Sequence, residues 1–84
     1  MSERPKTKDE LFILKLYEEA CKQPHIDDPI DPLRIGELVG LHHKAVGTIC
    51  VLLGKANFIK RHGDEGISIT KNGISLAENV RLKM

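Results

Sequence analysis

Residues 41–61, LHHKAVGTICVLLGKANFIKR, contain the pattern that decides the fold of this chain. Three aliphatic residues recur there at the spacing of one helical face: Val46, Ile49 and Leu53. This spacing predicts a helix over residues 42–55 with one apolar side. Asn57 interrupts the pattern, and the apolar pair at 58–59 then opens a short strand that continues into basic residues.

A second, shorter helix is predicted upstream, over residues 33–39. Asp31 is suited to its N-cap and Pro32 to its first position. Gly40 is suited to the left-handed residue that ends a helix. We expect Leu41 to fill the turn before residues 42–55. The inward side of helix 33–39 should carry Leu38 with either Leu33 or Ile35.

The first helix is predicted to begin at Thr7, which together with Glu10 forms a capping-box pattern. Its apolar residues form a wide stripe: Leu11, Leu14, Tyr17 and Cys21 on one face, widened by Phe12, Ile13, Leu16 and Ala20. Such a stripe is wider than one core-facing side needs. Either this helix is central and covered on two sides, or Phe12 and Leu16 continue into a dimer interface.

Downstream, residues 58–62 are predicted to form one strand of a hairpin, and residues 63–66 its turn. The returning strand, 67–69, should place its two isoleucines inward and Ser68 outward. Thr70 is then expected to cap a last helix from residue 71 to about 82. Gly73 inside this helix costs about 1 kcal/mol relative to alanine, which suggests close packing against a neighbouring element. Three further apolar residues are left for a partner subunit: Leu76, Leu82 and Met84.

The order of these features, over Thr7 to Val80, resembles the winged helix-turn-helix domain of small MarR-like, PadR-like and ArsR-like transcription regulators. The segment from Ile69 to Glu78, ITKNGISLAE, is similar to the L-T-x-x-G-x-x-L-A-E ending of many such domains. The resemblance implies an α+β fold, with a three-helix core, a two-stranded β-hairpin wing and a C-terminal helix. Residues 1–6 are expected to be a flexible arm, and residues 7–84 the domain.

Composition limits the class of protein. Eighty-four residues make one domain with little room for a deep substrate pocket. Residues 9–40 carry eight acidic and three basic side chains, whereas residues 41–84 carry seven basic and three acidic ones. This asymmetry suits a domain with one basic face for an anionic partner. The N-terminus is too polar for a signal peptide and no apolar run could span a bilayer, so we expect a cytoplasmic protein without a membrane partner.

The resemblance implies binding to double-stranded DNA, with helix 42–55 in the major groove and wing 58–69 on the backbone. The residues expected to contact DNA are His43, Lys44, Gly47, Thr48, Lys55, Lys60, Arg61, His62 and Lys71. No arginine lies on helix 42–55, although arginine makes the commonest specific contact, to guanine. We therefore expect a homodimer on an inverted repeat, because one monomer should bind weakly.

The sequence also bears on two other functional classes, a protein-interaction module and an enzyme. Val51 and Leu52 are aliphatic where such regulators often carry polar residues, and an exposed apolar patch there would suit a protein-interaction module. Catalysis is not expected, because the chain has no glycine-rich phosphate loop and no Ser-His-acid spacing. No cofactor and no metal site are predicted, and both cysteines, Cys21 and Cys50, are expected to be thiols in the core.

Overall fold

The computed structural model describes residues 7–82, which form helices and one antiparallel hairpin. In chain order the elements are α1 Lys8–Cys21, α2 Pro32–Leu38, α3 His43–Lys55, β1 Ile59–Arg61, a 3-10 turn Gly63–Glu65, β2 Ile67–Ile69 and α4 Lys71–Leu82. This is the predicted α+β arrangement. The predicted arm, residues 1–6, and Met84 lie outside the described residues.

Helix α1 is the centre of the core. The predicted capping box is present, with the Thr7 hydroxyl accepting from the Glu10 amide and the Glu10 side chain accepting from the Thr7 amide. Phe12 and Leu16 are fully buried within the monomer, and α1 packs against α2, α3, α4 and β2. The central-helix interpretation is therefore confirmed, and the extension of these two residues into a dimer interface is wrong. Burial of each contributes about 1.5–3 kcal/mol.

The edges of the α1 stripe differ from the prediction. Leu11 is 36% exposed and Cys21 is exposed, so Cys21 is not a core thiol. The buried face is centred on Phe12 and Leu16, which leaves residues 11 and 21 at its margins. Tyr17 is half-buried, and its hydroxyl donates to Glu78 Oε2 at 3.3 Å, which joins α1 to α4.

Helix α2 begins as predicted, because Asp31 Oδ1 accepts from the Leu33 amide at 3.0 Å and Pro32 follows. Its inward side is Ile35 with Gly36, whereas Leu38 is 51% exposed, so the inward placement of Leu38 is wrong. The reason is the close approach of α2 to α3. A β-carbon on Gly36 would lie 2.3 Å from Val46 Cγ2, so the Gly36 side of α2 faces α3. Leu38 is about 200° around the helix from Gly36 and therefore lies on the other side.

The same backbone motif ends α2 and α3. At the first, Gly40 has φ +75° and the Leu41 amide donates to Gly36 O at 2.8 Å. At the second, Asn57 has φ +65° and the Phe58 amide donates to Leu53 O at 2.9 Å. These are the six-to-one bonds of the Schellman motif, in which a left-handed residue reverses the chain. They fix how the chain enters and leaves the turns on each side of α3.

The hairpin pairs Ile59 with Ile69, Lys60 with Ser68 and Arg61 with Ile67. Ile30 forms an isolated antiparallel bridge to β2, with hydrogen bonds of 2.7 and 2.9 Å to Ile67. Ser68 shares the outer face of the hairpin with Lys60, but it is only 5% exposed, so its predicted exposure is wrong. The cause is His62, whose Nε2 lies 2.7 Å from Ser68 Oγ.

Helix α4 closes the fold against the turn after α3. The Thr70 hydroxyl accepts from the Gly73 amide at 3.1 Å, as predicted for a cap. A β-carbon on Gly73 would lie 2.1 Å from Phe58 O, which confirms that this glycine packs closely. Of the residues left for a partner, Leu76 packs against the core, whereas Leu82 is 82% exposed.

Among residues 7–82 no single helix is long and apolar enough to cross a membrane. Helices α2 and α3 reach that length and composition only when they are counted together across a bend of 117°.

Candidate nucleic-acid interface

Helix α3 separates a buried side from an exposed one, as its sequence pattern predicts. Val46, Ile49, Cys50 and Leu53 are buried, and Ala45 is half-buried. The residues on the other side of the helix are exposed: His43, Lys44, Gly47, Thr48, Val51, Leu52 and Lys55. The predicted helix with one apolar, buried side is therefore confirmed.

The first turn of α3 has no side-chain cap. His42 occupies the N-cap position in extended conformation, with φ −73° and ψ 155°, but its ring makes no capping hydrogen bond. The amide groups of this turn thus add the partial positive charge of a helix N-terminus near the ammonium group of Lys44. Both favour an anion at this end of the helix.

Two exposed residues of α3 have unusual local environments. A β-carbon on Gly47 would meet nothing within 4 Å, so packing inside the described residues does not explain this glycine. Thr48 Oγ1 donates to Lys44 O at 3.2 Å, which commits the hydroxyl proton to the helix backbone. Thr48 therefore retains a methyl group and oxygen lone pairs for a partner, but no hydroxyl proton.

The wing brings further basic residues beside α3. A groove of about 460 Å³ runs between the second half of α3 and β1. It is lined by Cys50, Val51, Gly54, Lys55, Ile59, Lys60 and Arg61. Three predicted contact residues thus meet here: Lys55, Lys60 and Arg61. Gly54 was not predicted, although its position seven residues after Gly47, on the same helix side, could have suggested it.

The remaining wing residues are less favourable for DNA. His62 is half-buried, and one of its ring nitrogens is engaged by Ser68. The tip of the wing is acidic, with Asp64 and Glu65 both exposed. Arg61 also borders a second groove, of about 440 Å³, together with Asp31 and the tip carboxylates. The basic part of the wing is therefore its base, at Lys60 and Arg61.

Lys71 lies outside the groove between α3 and β1. It is exposed in the first turn of α4, next to Thr70. Because the Thr70 hydroxyl donates to Asn57 O at 2.6 Å, this turn adjoins the end of α3. Lys71 thus extends the basic surface beyond the C-terminal end of α3.

Ion pairs distinguish the two halves of the described chain. In the acidic part of the chain, residues 9–40, the basic side chains form ion pairs with acidic ones of the same part. These pairs are Lys15 with Glu18 at 2.9 Å, Lys22 with Glu19 at 2.9 Å and Arg34 with Glu19 at 3.7 Å. The hydrogen bond from Lys22 is the main reason that the pKa of Glu19 is lowered. Within residues 7–82, no carboxylate lies within 4 Å of the bases on α3, the wing or the start of α4, namely Lys44, Lys55, Lys60, Arg61 and Lys71.

No family model and no curated protein matches the chain. A search of solved structures finds similarity to the PcaV transcriptional regulator from Streptomyces coelicolor, determined with its natural ligand, with a TM-score of 0.66 and 18% sequence identity. The match covers 99% of this chain and 58% of PcaV, so the chain spans little more than half the length of that regulator. At this identity the match establishes the fold, and the predicted winged helix is confirmed.

Proposed function

We propose that this chain is a cytoplasmic, DNA-binding transcription regulator that inserts α3 into the major groove. The wing, residues 58–69, lies on the sugar-phosphate backbone in this proposal. The observation that carries it is the set of exposed bases on α3 and the base of the wing, which have no carboxylate partner among the described residues. Unpaired cations are available to phosphates, because no internal ion pair has to be broken first.

The individual roles follow from position on the surface. Lys44, beside the uncapped first turn of α3, is placed to meet a phosphate or a base edge together with His43. Gly47 permits close approach of the helix backbone. The groove between α3 and β1 is lined by Lys55, Lys60 and Arg61. In this proposal more than one of these cations would hold a single DNA phosphate there. His62 and Lys71 are peripheral contacts in this proposal.

The expected affinity of one monomer is low. If about three phosphates are neutralised, the logarithm of the association constant falls with a slope of about −3 against the logarithm of salt concentration. That is about a 40-fold loss between 50 and 200 mM salt. We therefore propose a homodimer on an inverted repeat, which would double the number of neutralised phosphates and hence the salt slope. Exposed Leu82, at the end of α4, is an apolar side chain available for such a contact.

A second candidate function is a protein-interaction module. Val51 is 42% exposed and Leu52 is 57% exposed, and both lie on the surface of α3 that a partner would meet. A partner protein with a complementary apolar surface would bury these two side chains. Val51→Glu should abolish such a complex, because it would place a charge in the apolar contact.

The test is a gel shift with purified protein and mixed genomic DNA fragments at 50 and 200 mM salt. We expect salt-sensitive retention, with one class of fragments still bound at 200 mM. Absence of any retention at 50 mM would refute the DNA-binding proposal and favour a protein partner for Val51 and Leu52. Sedimentation of the free protein and of its complex tests the homodimer, and a monomer in both samples would contradict it.

A further inference from the structure

The centre of the exposed face of α3 carries methyl groups between two lysines. Four residues follow one another at intervals of four, three and four, which places them on one stripe of the helix: Lys44, Thr48, Val51 and Lys55. This stripe lies opposite the buried side formed by Val46, Ile49 and Leu53. It is the part of α3 that would point most directly at a partner.

The two middle residues offer almost no hydrogen-bond donor. Val51 is aliphatic and 42% exposed, and the hydroxyl proton of Thr48 is committed to Lys44 O. Donors to guanine O6 and N7 are therefore absent from the middle of the stripe. Apolar side chains in the major groove have one complementary feature among the four bases, which is the C5-methyl group of thymine.

The two lysines at the ends of this stripe, Lys44 and Lys55, favour a DNA duplex as the partner of this face. They are eleven residues apart, or about 16 Å along the helix axis. The major groove is about 12 Å wide, so both ammonium groups can reach phosphates that flank the groove while the middle of the stripe faces base edges. Neither lysine has a carboxylate partner within residues 7–82.

We propose that α3 selects thymine-containing sites by packing Val51 and the methyl group of Thr48 against thymine C5-methyl groups. This inference rests on the proposed function, since it specifies the DNA that α3 would bind. It assigns specificity to apolar contact and affinity to the two flanking lysines. It also gives exposed Val51 a role in DNA binding rather than in protein docking.

The experiment begins with selection of duplexes from a random library by the purified protein. The enriched duplex is then compared with duplexes in which single thymines are replaced by deoxyuridine. This replacement removes only the methyl group and keeps base pairing and the O4 acceptor. We expect affinity to fall about four-fold at one or more positions, the value of one buried methyl-sized group.

Three variants locate the contact. Val51→Ala should lose discrimination between thymine and deoxyuridine at one position, and Thr48→Ser, which keeps the hydroxyl, should lose it at another. Leu52→Ala is the matched control, because it truncates an exposed aliphatic residue on α3 that lies about 100° around the helix from Val51. We expect Leu52→Ala to retain the discrimination.

The outcomes separate this inference from the proposed function. Enrichment of a duplex that binds equally well with thymine and deoxyuridine would overturn thymine selection and leave DNA binding intact. Discrimination lost in Leu52→Ala but kept in Val51→Ala would overturn the assignment to the stripe. Failure to enrich any duplex, with no retention at 50 mM salt, would overturn both proposals together.

Discussion

The hydroxyl of Thr70 donates a hydrogen bond of 2.6 Å to the carbonyl oxygen of Asn57. The Thr70 hydroxyl oxygen also accepts a hydrogen bond from the Gly73 amide at 3.1 Å. One hydroxyl thus joins the turn that ends α3 to the first turn of α4. Because β1 and β2 lie between these turns in the chain, this contact closes the base of the wing and fixes it relative to α3.

Thr70→Val should lower the free energy of unfolding by about 1–2 kcal/mol, because it removes a helix cap and one hydrogen bond to a carbonyl. Urea denaturation measures the change. Thr70→Ser is the control, since it keeps the hydroxyl and should retain most of the stability. Equal losses in both variants would show that the hydroxyl contributes little.

The two helical glycines at 47 and 73 should respond oppositely to alanine. Gly73→Ala should destabilise the fold by about 1–3 kcal/mol, because its β-carbon would collide with Phe58 O. Gly47→Ala meets nothing within 4 Å and should stabilise the fold by up to about 1 kcal/mol through its higher helix propensity. Thermal and urea denaturation of the two variants, side by side, measure the change in the free energy of unfolding and its sign for each.

Gly47→Ala should also weaken DNA binding while it stabilises the protein. An added methyl group would hold the α3 backbone away from the groove if the helix approaches DNA at this position. Binding titrations on the enriched duplex measure the effect, and the stability data exclude misfolding as its cause. Unchanged affinity would remove Gly47 from the contact surface.

Lys44→Ala combined with Lys60→Ala should reduce the salt slope of DNA binding by about two, one for each lost phosphate contact. The matched control is Lys15→Ala with Lys22→Ala, which removes two lysines that are already paired with Glu18 and Glu19. The control should leave the slope unchanged. Equal slopes for the two double variants would contradict the assignment of the basic face to α3 and the wing.

Stability should fall as the pH rises above the ordinary pKa of a thiol. Burial raises the pKa of the Cys50 thiol, and the charge of Arg61 lowers it to a smaller extent. The unfolded chain therefore loses this proton at a lower pH than the folded one, so the contribution is present below the unfolded pKa and is lost above it. The free energy of unfolding of Cys50→Ala should depend less on pH between 8 and 9.5 than that of the unchanged protein.

Local chemistry made most of the backbone predictable. Thr7 with Glu10, Asp31 with Pro32, and Gly40 each determine how a helix begins or ends within a few residues of themselves. Such contacts depend on short-range sequence, and the structure contains each of them. The outward residues of α3 were predictable for a related reason, since a helix with one strongly apolar face has only one other face to expose.

Exposure at the edges of these elements was not predictable in the same way. Leu38 and Cys21 have apolar neighbours at helical spacing, yet both are exposed, because the approach of α2 to α3 and the centre of the α1 face decide which residues are covered. Ser68 follows the alternation of its strand, yet it is buried by His62, which lies six residues away in the chain.

The sequence by itself determined the element order, the caps and turns, and the side of α3 that faces solvent, because these depend on periodicity and on neighbouring backbone groups. Only the tertiary structure decided which bases remain without carboxylate partners among the described residues and that Lys55 and Lys60 share a groove. Those properties depend on distances between elements, which residue spacing does not specify.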